Sequence, residues 1–118
     1  MKFLEYTYTR PDLEQFKAEM RELIGRVTGA ADVQAVIAAF DEASKLGAHI
    51  NTLGSIAYVR NTINTADPFY DAQREFMDQS MPELIEVSNE MDAAMLASPF
   101  RAELEAHYGK LLFTYLEL

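Results

Sequence analysis

A stretch free of proline, from about Asp32 to about Asn64, limits the possible folds more than any other part of this sequence. Within it, small and apolar residues recur at alternating steps of four and three, the spacing of a helix that packs lengthwise against a neighbour; they are Val36, Phe40, Ala43, Gly47, Ile50, Gly54 and Ala57. Each glycine lowers helix stability by up to about 1 kcal/mol relative to alanine. We therefore expect a neighbouring helix to approach closely at Gly47 and Gly54, so that Gly47→Leu overpacks the contact. A backbone exposed beside a bound ligand is the alternative.

The first helix is predicted to start at Pro11, whose fixed φ and missing N–H suit the first helical position, and to end at Thr28 and Gly29. Asp12 and Glu14 then stand in the first turn, where the helix dipole favours negative charge. The preceding residues 3–9 are rich in aromatic residues and threonine, which predicts a short extended segment. One apolar face of the helix repeats at steps of three and four residues: Leu13, Phe16, Met20, Leu23, Ile24 and Val27.

Asp67 followed by Pro68 predicts the start of a third helix, because aspartate is a good N-cap and proline suits the first helical position. Pro82 falls inside this helix and should kink or divide it, since proline removes a hydrogen bond and crowds the preceding turn. The predicted apolar face repeats every seven residues at Tyr70, Met77, Leu84 and Met91, with Gln73, Ser80, Val87 and Ala94 between them.

Ser98 followed by Pro99 repeats the start signal and predicts a fourth helix that runs to about Tyr108. Gly109 can then adopt a left-handed cap. The last residues, 111–118, form an apolar tail, which we expect to pack on a missing portion of chain or on a partner.

These elements predict a single all-α domain over residues 1–118, an up-down bundle of about four helices with two long central helices and a short extended N-terminal segment. A chain of 118 residues with 49% hydrophobic content is long enough to bury a core. The net charge is −9 and the ten Lys and Arg residues are scattered, which argues against nucleic acid and anionic membranes as partners because phosphate binding needs clustered cations. The absence of cysteine fits a reducing compartment.

Neither histidine lies in a known zinc motif, since His49 and His107 each lack a second histidine four residues away. Glu103 and His107 are one turn apart, which we interpret as an exposed helix pair. We interpret His49 as a core or boundary residue, with a ligand or a general base as the alternative. The methionines are interpreted as core residues, with a peptide-binding surface as the alternative. We therefore predict no catalytic, cofactor-binding or metal-binding residue.

Three segments carry a resemblance to a known family: residues 3–16 (FLEYTYTRPDLEQF), 63–76 (INTADPFYDAQREF) and 98–118 (SPFRAELEAHYGKLLFTYLEL). In their order and spacing they resemble the N-terminal portion of an oligoendopeptidase F-type zinc metallopeptidase, in the thimet-oligopeptidase-like superfamily. The resemblance extends over essentially all 118 residues. None of the three segments is a catalytic signature.

This resemblance implies an α-helical, cytoplasmic peptidase several times longer than this chain, which hydrolyses short peptides in an enclosed channel. In that family the His-Glu-x-x-His zinc helix lies far downstream. The chain alone is therefore expected to be noncatalytic and to form a wall or lid of the channel, with the missing catalytic portion as its partner. Zinc and short peptides are expected only in that context. The alternative is a stand-alone interaction module that self-associates, either through the helix face with Gly47 and Gly54 or through residues 111–118.

Overall fold

Residues 8–118 are described by the structure, a computed structural model, and they form five α-helices and no strand. The predicted all-α fold with two long central helices is confirmed over these residues, although they contain five helices instead of about four. The predicted extended segment falls mostly on residues 3–7, which lie outside the described residues; Tyr8 and Thr9 belong to neither helix nor strand. The helices are α1 (Leu13–Thr28), α2 (Val33–Ile63), α3 (Pro68–Leu96), α4 (Arg101–Tyr108) and α5 (Lys110–Leu116).

The first helix begins two residues later than the sequence pattern predicts, because Asp12 caps it. The backbone of Asp12 is extended, and its Oδ1 accepts a hydrogen bond from Gln15 N at 3.1 Å. Pro11 therefore precedes the cap, and the Asp12 carboxylate satisfies a backbone N–H that has no partner inside the helix. The predicted end is confirmed, since α1 stops at Thr28 and Gly29 is its C-cap.

Both long helices begin at the aspartates that the sequence indicates. Asp32 Oδ1 accepts a hydrogen bond from Ala35 N at 2.9 Å, and α2 then runs to Ile63. Asp67 Oδ1 accepts from the backbone N–H of Phe69 at 2.9 Å, with Pro68 as the first residue of α3. In each case a carboxylate occupies the N-cap position, where it also interacts favourably with the helix dipole.

Of the two predicted effects of Pro82, a kink or a division of the helix, the division is wrong, because α3 continues through this residue. The proline removes the helical hydrogen bond to the Asp78 carbonyl, four residues earlier. Both residues are exposed, so water can satisfy that carbonyl. Met77 and Val87, on either side of the proline, are buried in one core. Their burial keeps both halves of the helix packed on the same surface.

The C-terminal residues form two short helices where the sequence predicts one helix and an apolar tail. Ser98 Oγ accepts a hydrogen bond from Phe100 N at 3.2 Å, so Ser98 closes a turn and α4 begins only at Arg101. Gly109 has the positive φ that the cap prediction requires, +95°, but its ψ of 152° is not that of a left-handed helix. This extended conformation is accessible almost only to glycine. It lets the chain turn from α4 into α5, which buries Phe113.

The core lies between α1, α2 and α3, which pack against one another, while α4 packs on α2 and α5 packs on α3. Ion pairs join the exposed edges of α1 and α3, at Lys17–Glu83 and Arg21–Glu90. No helix in the described part combines the length and the apolar character needed to cross a bilayer. The largest side chains with almost no exposed surface are Phe113, Ile56, Met95, Leu104, Val36 and Val87.

Tyr108 ties the short α4 to the long α2. Its hydroxyl donates a hydrogen bond to Asp41 Oδ1 at 2.6 Å, and its ring meets the ring of Phe40 edge to face, with 5.3 Å between the centroids. Burial, followed by the hydrogen bond to Asp41, raises the pKa of the Tyr108 hydroxyl well above its usual range.

Candidate functional site

An apolar groove runs along α2 and α3, and we call it the α2–α3 groove. It consists of two adjoining recesses that share Ile50, Asn51, Leu84 and Ser88. The first, of about 310 Å³, is also bounded by α1 and α5. The second, of about 560 Å³, lies toward the end of α2 and the start of α3. Recesses of this size and apolar character are typical of binding surfaces.

The two glycines that the sequence singled out lie in this groove, but they have different surroundings. A Cβ atom at Gly54 would stand 3.1 Å from Met77 Cε, so α3 does approach α2 closely there. A Cβ atom at Gly47 would meet no other part of the described structure within 4 Å. The predicted close approach is therefore confirmed at Gly54 and wrong at Gly47, because Gly47 borders the open first recess. A leucine at position 47 has room to enter that recess.

Large apolar side chains stand exposed along the edges of the groove. Val59, Met81 and Ile85 border the second recess, and Tyr115 of α5 borders the first. Met81 is 47% exposed and Tyr115 is 70% exposed. Exposed apolar residues are ordinary when they are scattered, but a contiguous set beside a recess marks an interaction surface. The core interpretation of the methionines is confirmed for Met20, Met77, Met91 and Met95, and is wrong for Met81.

Asp92 is the one charged residue among the described residues that line the groove. It is half-buried and has no hydrogen-bond or ion-pair partner within residues 8–118. Burial raises the pKa of its carboxyl group, because the apolar walls disfavour the charged form. Sequence reasoning missed Asp92. The signal available was its position directly after Met91, the last member of the seven-residue repeat of α3.

A polar cluster near the start of α3 connects this helix to the residues that precede α1. Gln73 is only 5% exposed, and its Oε1 accepts hydrogen bonds from the Tyr8 hydroxyl at 2.8 Å and from Arg10 Nε at 2.9 Å. The Arg10 guanidinium also stands 4.4 Å from the centre of the Phe76 ring. The buried amide oxygen thus has hydrogen-bond partners, as buried polar atoms in proteins generally do.

A second pair of polar contacts holds the corner between α2 and α3. Asn61 is buried and its Oδ1 accepts a hydrogen bond from Arg74 Nη1 at 3.3 Å, while Arg60 Nη1 donates to the Tyr70 hydroxyl at 2.8 Å. The N-cap that the sequence predicts at Asp67 in this corner is confirmed. The side chains of Asn61 and Arg60 instead bridge the two helices, so this cluster has a structural role.

Neither histidine is placed to bind zinc. His49 is exposed on α2, so the interpretation as a core or boundary residue is wrong, and His107 is exposed on α4 beside the exposed Glu103, as expected. Within residues 8–118 there is no group of three or more His, Cys, Asp or Glu side chains that could hold a metal ion. A protein zinc site uses three or four such ligands. The residues described here therefore do not fit the zinc that the resembled peptidases contain.

Comparison with known proteins identifies the family. The model of the Peptidase M3 N-terminal domain matches residues 3–118. A Pz peptidase A solved with an inhibitor is 34% identical, with a TM-score of 0.94 over 98% of this chain and 21% of that chain. A structure assigned as oligoendopeptidase F is also 34% identical, with a TM-score of 0.95, and covers 99% of this chain and 21% of its own.

A further structure assigned as oligoendopeptidase F, from Bacillus anthracis str. Ames, is 31% identical with a TM-score of 0.95 over 99% of this chain and 22% of that chain. No match was found among curated protein sequences. The chain thus spans about a fifth of the length of the solved relatives it matches. These matches confirm the resemblance to the N-terminal portion of oligoendopeptidase F, and the chain belongs to the family of Peptidase M3 N-terminal domains.

Proposed function

We propose that this chain acts as the N-terminal helical region of a zinc-dependent oligoendopeptidase, that it is noncatalytic alone, and that it forms a wall or lid of the channel that holds short peptides. The observation that carries the proposal is the similarity of 98–99% of this chain to about a fifth of three peptidase structures, at TM-scores of 0.94–0.95. The lack of cysteine in the chain also fits the cytoplasm.

The chemistry of the described residues supports a noncatalytic role. Peptide hydrolysis by a zinc enzyme needs three protein ligands around the metal and a general base within hydrogen-bond reach of the attacking water. Residues 8–118 contain no such cluster of ligands, so in this proposal the catalytic portion supplies the metal site. A helical wall contributes in another way, because it excludes water from the channel and holds the peptide away from bulk solvent.

The test compares peptidase activity of the chain alone and with a catalytic portion. The purified chain is assayed with zinc and an unstructured fluorogenic peptide, before and after addition of a chelator. We expect no chelator-sensitive turnover. The chain is then mixed with the rest of the Bacillus anthracis oligoendopeptidase F, expressed without its matched N-terminal part, and we expect turnover above that of this remainder alone.

Two results contradict this proposal. Chelator-sensitive turnover by the chain alone would show that it carries a catalytic site. If the relative's own N-terminal segment raises the activity of the remainder and this chain does not, the proposed place in a peptidase is wrong.

Self-association is a second candidate function, favoured by the exposed apolar side chains of residues 111–118. Leu111, Tyr115 and Leu118 are 85%, 70% and 99% exposed. The helix face with glycines is a weaker candidate surface, since Gly54 already packs against Met77 within the chain. Light scattering over a range of chain concentrations decides between these functions: a constant monomer mass excludes self-association, and a mass that rises to that of a dimer supports it.

A further inference from the structure

We propose that the α2–α3 groove is the surface on which the remainder of an M3 peptidase chain packs, through an apolar segment that carries one basic side chain placed to pair with Asp92. This inference rests on the proposed function and adds to it the docking surface and the chemistry of the segment that fills it. Three observations lead to it: the exposed apolar edges, a carboxylate with no partner among the described residues, and the share of the relatives' length that this chain spans.

The exposed apolar side chains at the edges of the groove make docking favourable. Val59, Met81 and Ile85 stand exposed along the second recess, and their burial removes apolar surface from water. On the α2 side, Ser55 presents only a small side chain to that recess. A helix or extended segment with projecting apolar side chains therefore fits the groove better than a flat surface does.

The carboxylate specifies what else the occupant must carry. Asp92 lies in the first recess among apolar residues and has no partner within residues 8–118. Covering it with a purely apolar segment would bury a charge without compensation, which is strongly unfavourable. A Lys or Arg in the segment removes this penalty and adds a charge-assisted hydrogen bond. The same pairing excludes apolar segments that lack a cation, so Asp92 contributes selectivity.

The charge pattern argues against a second copy of this chain as the occupant. None of the described residues that line the groove is a Lys or Arg. Two grooves packed face to face in a symmetric dimer would therefore bury an Asp92 carboxylate from each chain with no Lys or Arg of the described groove residues to pair with it, between chains that each carry a net charge of −9. The solved relatives offer a different source, because about four-fifths of each lies outside the part that matches this chain. That remainder belongs to the same polypeptide, which favours its packing here at high effective concentration.

Cysteine labelling tests the docking surface directly, because the chain has no cysteine of its own. Ser55→Cys and Ser88→Cys place single thiols at exposed positions of the groove, and Ala93→Cys is the control, exposed on α3 outside both recesses. Maleimide labelling is followed by mass spectrometry for each folded variant, with and without the remainder of the Bacillus anthracis relative. We expect labelling at both groove positions to slow about tenfold when nine in ten chains are bound, and labelling at position 93 to stay unchanged.

The role of Asp92 is tested by the affinity for the same remainder. Asp92→Asn removes the charge and keeps the shape of the side chain. We expect the Kd to rise about tenfold, which is the effect of losing one charge-assisted hydrogen bond. Glu86→Gln is the matched control, a carboxylate-to-amide change at an exposed position of α3 that lines neither recess, and we expect its Kd to equal that of the parent chain.

The possible outcomes separate this inference from the proposed function. Association without slower labelling at Ser55→Cys and Ser88→Cys overturns the groove as the docking surface and leaves the proposed function intact. Equal effects of Asp92→Asn and Glu86→Gln overturn the basic partner of Asp92. Slower labelling caused by raising the concentration of the chain alone, or by a short peptide alone, assigns the groove to a different occupant. No association, when the relative's own N-terminal segment does associate, overturns the proposed function itself.

Discussion

The two glycines of α2 offer a sharp test of the packing, because one substitution at two positions of one helix should have unequal effects. Alanine in place of glycine inside a helix raises the free energy of unfolding by about 1 kcal/mol, since alanine loses less backbone freedom on folding. At Gly47 nothing in the described structure opposes the added Cβ within 4 Å. We therefore expect Gly47→Ala to raise the free energy of unfolding by about 1 kcal/mol.

At Gly54 the same change meets the end of a buried side chain. The new Cβ would stand 3.1 Å from Met77 Cε, closer than ordinary van der Waals contact, and Met77 itself is 4% exposed. The methionine can shift by a few tenths of an ångström because its side chain is flexible, but it must do so inside a packed core. This repulsion offsets much of the stability that alanine adds to a helix. We therefore expect Gly54→Ala to raise the free energy of unfolding by only roughly 0 to 0.5 kcal/mol.

Urea unfolding followed by far-UV circular dichroism measures both variants, with the slope against urea checked for constancy. An equal or larger gain at Gly54→Ala than at Gly47→Ala would refute the account of the groove, as would a loss of stability at Gly47→Ala. The structure also reverses the expectation from sequence for Gly47→Leu. That side chain enters open space, so the loss of about 1–3 kcal/mol that overpacking causes should be absent.

Two further substitutions probe the polar contacts of the fold. Tyr108→Phe removes the hydroxyl that donates to Asp41 Oδ1 and should lower the free energy of unfolding by about 1 kcal/mol, whereas Tyr115→Phe, at an exposed ring, should leave urea unfolding unchanged. Burial raises the pKa of the Asp92 carboxyl in the folded chain. Near neutral pH, where the carboxyl is charged, this lowers the free energy of unfolding. The effect is absent well below a pH of about 4, because aspartate is then protonated in both the folded and the unfolded state. Asp92→Asn should therefore raise the Tm of the isolated chain at about pH 7 but not at about pH 3; an equal rise at both pH values, or a rise as large for Glu86→Gln, would contradict this account.

Much of the helical architecture could be predicted because the signals are local. The Asp32 and Asp67 caps act within three residues of the helix they begin, and Gly29 closes α1. The helix starts predicted at Pro11 and Pro99 are each two residues too early, and in each case a side chain accepts a backbone hydrogen bond just before the helix. Several nearby side chains could accept such a backbone hydrogen bond. Which one does so depends on the exact path of the backbone, and the sequence pattern does not specify that path.

The candidate site was less predictable, because its properties depend on segments far apart in the sequence. The repeat of α2 correctly placed Gly54 against another helix, but Gly47 carries the same local signal and borders a recess between α2, α3 and α5. The helical spacing of α3 gave no indication that Asp92 would have no partner within residues 8–118. Its isolation follows from the apolar residues that α1, α2 and α5 bring around it.

By itself, the sequence of this M3 N-terminal domain determined the family, the all-α class and where its two long helices begin. These follow from short motifs, caps and periodicity, all of which act over a few residues. Only the tertiary structure decided that residues 111–118 contain a helix that buries Phe113, that Gln73 accepts hydrogen bonds from Tyr8 and Arg10, and that the α2–α3 groove stays open around Asp92. The physical reason is that burial and charge pairing are set by which segments meet in space.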